Sequence, residues 1–202
     1  MQSRQPRELR IIAGEWRGRK LRFPERTSIR PTPDRVRETL FNWIGASVRG
    51  LRALDLFSGS GALGLECLSR GAAGVTFIDS DPRAVQALRE RLAEWRAQGA
   101  EVERADARGW LAARRSPARP PYDLVFLDPP FAAGLLAAIA RDLESGDWLA
   151  PEALVYLEAP SDVGLPVLPP EWEPLRSGKA GAVGYHLWRR GGWQVVTESP
   201  TS

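Results

Sequence analysis

The sequence predicts a doubly wound α/β fold, a mostly parallel sheet with helices on both faces. Three observations carry that expectation. Between residues 51 and 159, short apolar stretches of strand length alternate with longer stretches of helical period. Glycines and prolines punctuate the changes of period, as at Gly71 and through residues 116–121. The chain has 202 residues, 43% of them hydrophobic, enough for one full core and not for two.

The elements follow in order. Residues 9–13 and 19–23 flank Gly14-Glu15-Trp16-Arg17-Gly18, a polar loop with a glycine at each end, and so predict a β-hairpin. Arg30-Pro31-Thr32-Pro33 is a restrained extended link, with Thr32 expected as the cap of the next helix and Pro33 as its first residue. Val36, Leu40, Trp43 and Ile44 form that helix's apolar face. Strands are expected at 51–57, 75–79, 101–104, 122–128 and 153–159, with helices at 62–70, 82–98, 107–115 and 135–144. Residues 172–176 and 182–189 predict a closing antiparallel pair, and residues 190–202 a disordered tail.

Composition narrows the chemistry. No apolar run reaches membrane-spanning length and no signal-type segment follows Met1, so a soluble, cytoplasmic protein is expected. A single cysteine and a single histidine exclude an internal disulfide, a zinc cluster and most histidine-based triads. Cys67 is expected in the core, and His186 in the last strand as a structural residue. Net charge is +3 but unevenly spread: residues 1–30 hold nine bases against three acids. A basic arm on a mildly acidic body suits binding to a phosphate backbone. Trp16 lies within that arm, where packing on the body is favoured over stacking on a base.

Ligands in doubly wound sheets sit beyond the carboxyl ends of the strands. The first of these ends reads Asp55-Leu56-Phe57-Ser58-Gly59-Ser60-Gly61-Ala62-Leu63-Gly64, a glycine turn opening a helix. Asp79 ends the next strand, where a carboxylate meets ribose hydroxyls. These features alone fit either a nicotinamide dinucleotide or S-adenosylmethionine. Asp55 favours the latter, because a carboxylate before the glycines suits an ammonium group and not a pyrophosphate. Asp106, ending the third strand, is a candidate acceptor for an adenine amino group, or a helix cap.

Asp128-Pro129-Pro130-Phe131 at the fourth strand end is the most specific signal. The Asp128 carboxylate and the Pro129 carbonyl can accept the two hydrogens of an exocyclic base amino group, directing its lone pair at a methyl donor. Pro130 stiffens the turn and Phe131 offers a face for stacking the base.

With these motifs, 10–14, 16–21, 30–42, 55–71 and 128–131, the chain resembles the RsmD family of small-subunit ribosomal RNA guanine-N2 methyltransferases. The resemblance spans nearly all of residues 9–189. It implies a Rossmann-like class I methyltransferase with a seven-stranded sheet and an N-terminal β-hairpin extension. It also implies S-adenosylmethionine at Asp55, Phe57, Ser58, Gly59, Gly61, Asp79 and Asp106, and chemistry at Asp128–Phe131. Arg10, Arg17, Arg19, Lys20, Arg30, Thr32 and Arg37 are the residues expected to meet 16S ribosomal RNA, within an assembled or assembling small subunit. The expected divisions are a hairpin arm at 1–30, a methyltransferase domain at 31–190 and a tail at 191–202, in a monomer without metal. Competing readings are another base amino methyltransferase (adenine N6, in RNA or DNA), a nicotinamide-dependent oxidoreductase, and a non-catalytic RNA-binding assembly factor.

Overall fold

Seven strands make one sheet, with the central positions taken by the most apolar of them. The computed structural model describes residues 8–22, 32–113, 120–130 and 135–191. Along the chain these give β1 (Glu8–Arg10), β2 (Lys20–Arg22), α1 (Asp34–Ile44), β3 (Arg52–Asp55), α2 (Ala62–Ser69), β4 (Gly74–Asp79), α3 (Pro82–Glu94) and β5 (Ala100–Arg104). Then follow α4 (Ala107–Ala113), β6 (Tyr122–Leu127), α5 (Leu135–Ser145), β7 (Leu149–Pro160), β8 (Trp172–Ala180) and β9 (Val183–Arg190).

The sheet order is β5-β4-β3-β6-β7-β9-β8. β3 to β7 are mutually parallel, while β9 runs antiparallel between β7 and β8. The chain builds outward from β3 to β5 and then crosses back to β6, so the order reverses between β3 and β6. That reversal opens a crevice at the strands' carboxyl ends.

Period-two alternation divides the core. Leu124, Phe126 and Tyr156 face α1, α2 and α3, whereas Val125, Leu127, Val155 and Leu157 face α4 and α5. The expected helix over 82–98 stops earlier, at Glu94, because Trp95 caps it and Arg96 takes a left-handed φ of 52°. The fifth strand begins before its expected start, at Leu149, across a register shift in its pairing with β6. Thr32 is not the cap of α1: Pro33 takes that position and the helix begins at Asp34.

The hairpin does not project from the body. Ile11, Trp16 and Leu21 are buried in the same core as α1, α2 and α3, and Trp16 lies against Trp95 with ring centroids 5.2 Å apart. Packing, and not base stacking, is therefore the role of Trp16. The Ile12 and Ala13 N–H groups donate to Glu66 of α2 at 2.7 and 3.0 Å, and the Trp16 N–H donates to Ser69 Oγ at 2.9 Å. The turn passes so close to α2 that a Cβ on Gly14 would lie 1.8 Å from the Ser69 carbonyl oxygen, and its φ is +84°. Only glycine fits there. Residues 1–30 are thus in part an integral layer of the fold. The expected disordered tail falls, apart from Arg190 and Gly191, outside the described residues.

Candidate active site

Asp55, Asp79, Asp128 and Glu158 stand at the carboxyl ends of β3, β4, β6 and β7, and the two-residue period directs all four to the sheet face that carries Phe77, Phe126 and Tyr156. The glycine turn after β3 lies over this edge. Ser58 donates its N–H to the Ile78 carbonyl at 2.9 Å, and the Gly61 N–H reaches the Ser58 carbonyl at 2.6 Å. Gly61 then caps α2 in the left-handed conformation. At Gly64 a Cβ would lie 2.2 Å from the Phe77 ring, so a third glycine lets α2 sit directly on β4. Phe57 is half-buried beside the turn, against the α4–α5 face.

The carboxylates brace the loop. Asp79 accepts the Gly59 N–H at 2.6 Å on one oxygen and the Asp81 N–H at 2.8 Å on the other. Asp55 accepts the Gly64 N–H at 3.1 Å. Burial pushes the Asp55 carboxyl up to about 7, against the pull of that bond and with a smaller push from Asp79. Asp106 accepts the Gly109 N–H at 2.9 Å and so serves as the cap of α4. The helix-cap alternative for Asp106 is the arrangement in the structure.

Asp128 is half-buried and Pro129 buried, directly after β6. Burial first, then the negative charges of Glu158 and Asp55, hold the Asp128 carboxyl well above the usual carboxylate range. Phe131 and Arg30 lie outside the described residues.

Two of the residues expected to meet RNA face inward. Arg37 is fully buried, its guanidinium bound to the Arg10 carbonyl at 2.7 Å, to Asp34 at 2.6 Å and to Glu66 at 3.3 Å. Thr32 is buried and donates to Glu158 at 2.8 Å. These are structural partners of the body and not part of an exposed RNA surface. Arg10, Arg17, Arg19 and Lys20 are exposed, with Arg19 lying over the Trp95 ring at 5.4 Å and Lys20 paired to Glu8 at 2.7 Å. Cys67 is buried in the core, where burial pushes its thiol far above its ordinary range. His186 Nδ1 bonds Ser177 Oγ at 2.9 Å; the histidine pairs with Leu157 and so lies on the opposite sheet face from the four acids. Among the described residues no cluster of His, Cys, Asp or Glu could hold a metal ion, and no helix is long and apolar enough to cross a membrane.

Sequence order, sheet topology and strand-end acids together define a Rossmann-like class I methyltransferase fold. The chain belongs to the family described as conserved hypothetical protein 95, whose model matches residues 9–189. It is 47% identical to ribosomal RNA small subunit methyltransferase D of Escherichia coli K12, over 91% of this chain and 90% of that one. The protein of the same name from Haemophilus influenzae is 39% identical over 90% of this chain and 94% of its own length. The solved structure of the Escherichia coli protein yhhF superposes with a TM-score of 0.81 at 46% identity, covering 91% of this chain and 98% of that one.

Proposed function

We propose that this protein transfers a methyl group from S-adenosylmethionine to the N2 amino group of a guanine in 16S ribosomal RNA of the small subunit. The observation that carries the reading is Asp128-Pro129 at the end of β6, on the same sheet face as Asp55 and Asp79 beside the glycine turn. The relatives named for small-subunit ribosomal RNA methylation support the substrate class.

The residues fit the cofactor. Burial holds the Asp55 and Asp128 carboxyls up in the free protein, so both ionise more readily beside a ligand with an ammonium and a sulfonium, whereas a pyrophosphate would oppose their ionisation. Asp55 would hold the ammonium, and Asp79 the ribose hydroxyls while bracing Gly59. When bound, the cofactor supplies a methyl group already activated for transfer.

The protein's own work is alignment. A base amino nitrogen is a weak nucleophile because its lone pair is delocalised into the ring. The Asp128 carboxylate and Pro129 carbonyl accept its two hydrogens, which fixes the nitrogen and favours pyramidal geometry. With the methyl group supplied by a donor held at Asp55 and Asp79, which keeps the carbon–sulfur electron pair on sulfur, Asp128 and Pro129 need only aim the nitrogen lone pair. The positive charge that nitrogen would gain faces the Asp128 carboxylate, which is placed to accept the proton the nitrogen then loses. Arg10, Arg17, Arg19 and Lys20 would bind phosphates of the assembled or assembling subunit.

The test is mass spectrometry of small-subunit RNA from cells lacking the protein, with the purified protein then supplied to those subunits. One guanine should lack an N2 methyl group and regain it with S-adenosylmethionine. Subunits that carry the full set of N2-methylguanines without the protein would reject the reading.

A further inference from the structure

Asp55, Asp79 and Asp128 have tasks in the reading above; Glu158, a fourth acid at the same edge, has none. Leu127 and Leu157 are partners in the parallel β6–β7 pair, and Asp128 and Glu158 are the residues that follow them. The two acids are therefore one strand apart, about 4.8 Å in the hydrogen-bonding direction, and point to the same face. Glu158 is 5% exposed. Thr32 Oγ1 and Tyr156 Oη each donate to its Oε1 at 2.8 Å. Both bonds fall on one oxygen, which turns the carboxylate and leaves Oε2 to accept from elsewhere. Among the described residues the groups bonded to it are hydroxyls and not a cation, an unusual setting for a buried acid.

We propose that Glu158 reads the N1–H of the target guanine, beside the amino group held by Asp128 and the Pro129 carbonyl. The inference rests on the amino-transfer reading of Asp128 and gives it a reason to select guanine. The adenine amino group has N1 as its Watson–Crick-edge neighbour, and the cytosine amino group has N3. Both of those ring nitrogens present a lone pair, which a carboxylate repels. Guanine N1 carries a hydrogen next to the N2 amino group. Two acceptors side by side match that edge and neither of the others. Thr32 and Tyr156 act through Glu158, as positioning residues. Thr32 also ties the segment before α1 to the base-reading strand end.

The decisive experiment compares reconstituted small subunits carrying either guanine or 2-aminopurine at the modified nucleotide. 2-Aminopurine keeps the amino group at C2 but has a lone pair at N1. In single-turnover transfer with saturating cofactor, the wild type should prefer guanine by roughly 100-fold or more, because a site built for an N–H rejects an analogue lacking it. In Glu158→Gln the amide oxygen can still accept from Thr32 and Tyr156, while its N–H faces N1. That variant should narrow the preference by roughly 10-fold or more, with cofactor affinity unchanged. A wild type that uses both bases equally overturns the assignment, as does a folded Glu158→Gln that slows both substrates by one factor. Should the variant not fold, the wild-type comparison decides alone. Failure of the wider reading is separately visible, since guanine-bearing subunits would then gain no N2 methyl group at all.

Discussion

The Arg37 guanidinium and the Glu66 carboxylate, neither exposed to solvent, meet at 3.3 Å where the hairpin, α1 and α2 come together. Glu66 also accepts from the Ile12 and Ala13 N–H groups and from Arg70. Removing it takes the fully buried counter-charge from Arg37, which keeps Asp34 and the Arg10 carbonyl, and strands two backbone donors at once. Glu66→Ala should lower the free energy of unfolding by about 3–5 kcal/mol, read from urea melts. Arg37→Ala should cost a similar amount. A stable Arg37→Ala protein with a shallower salt dependence of RNA binding would return Arg37 to the RNA surface.

Asp79 supports both the cofactor and the turn beneath it. Asp79→Ala should weaken S-adenosylmethionine binding by at least roughly 1.5–3 kcal/mol, the cost of charged hydrogen bonds. Loss of the Gly59 and Asp81 anchors adds to that figure. Asp79→Asn should fall between, since its amide oxygen still accepts from Gly59. Calorimetry showing wild-type affinity in a folded Asp79→Ala protein would remove Asp79 from the site.

Asp55 makes cofactor binding sensitive to pH. Its carboxyl sits at about 7 in the free protein, so it is largely neutral below that pH. An ammonium group favours the ionised form, so affinity should rise as pH increases through 7, with proton uptake by buffer during calorimetric titration. Stability moves the opposite way. The folded state binds the Asp55 proton more tightly than the unfolded chain, whose carboxyl has its ordinary value of 3.8. This group's contribution is therefore greatest at low pH and declines as pH rises through 7. Asp55→Asn should stabilise the ligand-free protein above pH 7 while weakening the cofactor. A pH-independent affinity would refute the assignment.

At Asp128 the expected loss is in rate. Asp128→Ala should slow single-turnover methyl transfer by about 100-fold or more, with little change in cofactor affinity. Asp128→Asn should be milder, because the amide oxygen still accepts one amino hydrogen. Near wild-type rates for Asp128→Ala would reduce Asp128-Pro129 to an ordinary strand-end turn.

Deleting the first 28 residues would not isolate the arm's charge, because it removes Ile11, Trp16 and Leu21 from the core. Substituting exposed side chains is the cleaner test. Arg10→Ala with Arg17→Ala should weaken binding to the subunit and reduce the slope of log affinity against log salt by roughly 0.7–0.9 for each phosphate no longer neutralised. Thermal stability should hardly change. An unaltered slope would show that neither arginine meets a phosphate.

The sheet is legible in the sequence because its signals are local. Alternating periods, Gly71 and the strand-end acids lie within short windows, and the structure keeps nearly every expected element. Arg37 and Thr32 are misplaced by sequence because an arginine and a threonine read as surface until a partner is known. Their partners, Glu66 and Glu158, lie 29 and 126 residues away. Both acids nonetheless leave a trace. Glu66 is the lone charge in an otherwise apolar helix, Ala62–Ser69, which marks a buried ion. Glu158 lies two residues short of the end of a buried strand, near the strand-end positions of Asp55, Asp79 and Asp128, but no glycine turn or Pro-Pro pair follows it to single it out. Trp16 reads ambiguously because a large aromatic serves a core and a stacking platform equally well. Its packing on Trp95, 79 positions later in the chain, decides the matter.

The placement of β9 has a consequence for how the molecule is made. Synthesis runs from the amino end, yet Val183–Arg190 is an inner strand, inserted between β7 and β8. Until it emerges from the ribosome, β7 has an unpaired edge and β8 has no place in the sheet, so the nascent chain presents strand edges open to misassembly. Completion of this fold is therefore a late, single event in translation. A stall before residue 183 would leave a species that holds its cofactor turn and Asp128 but lacks a finished sheet to support them.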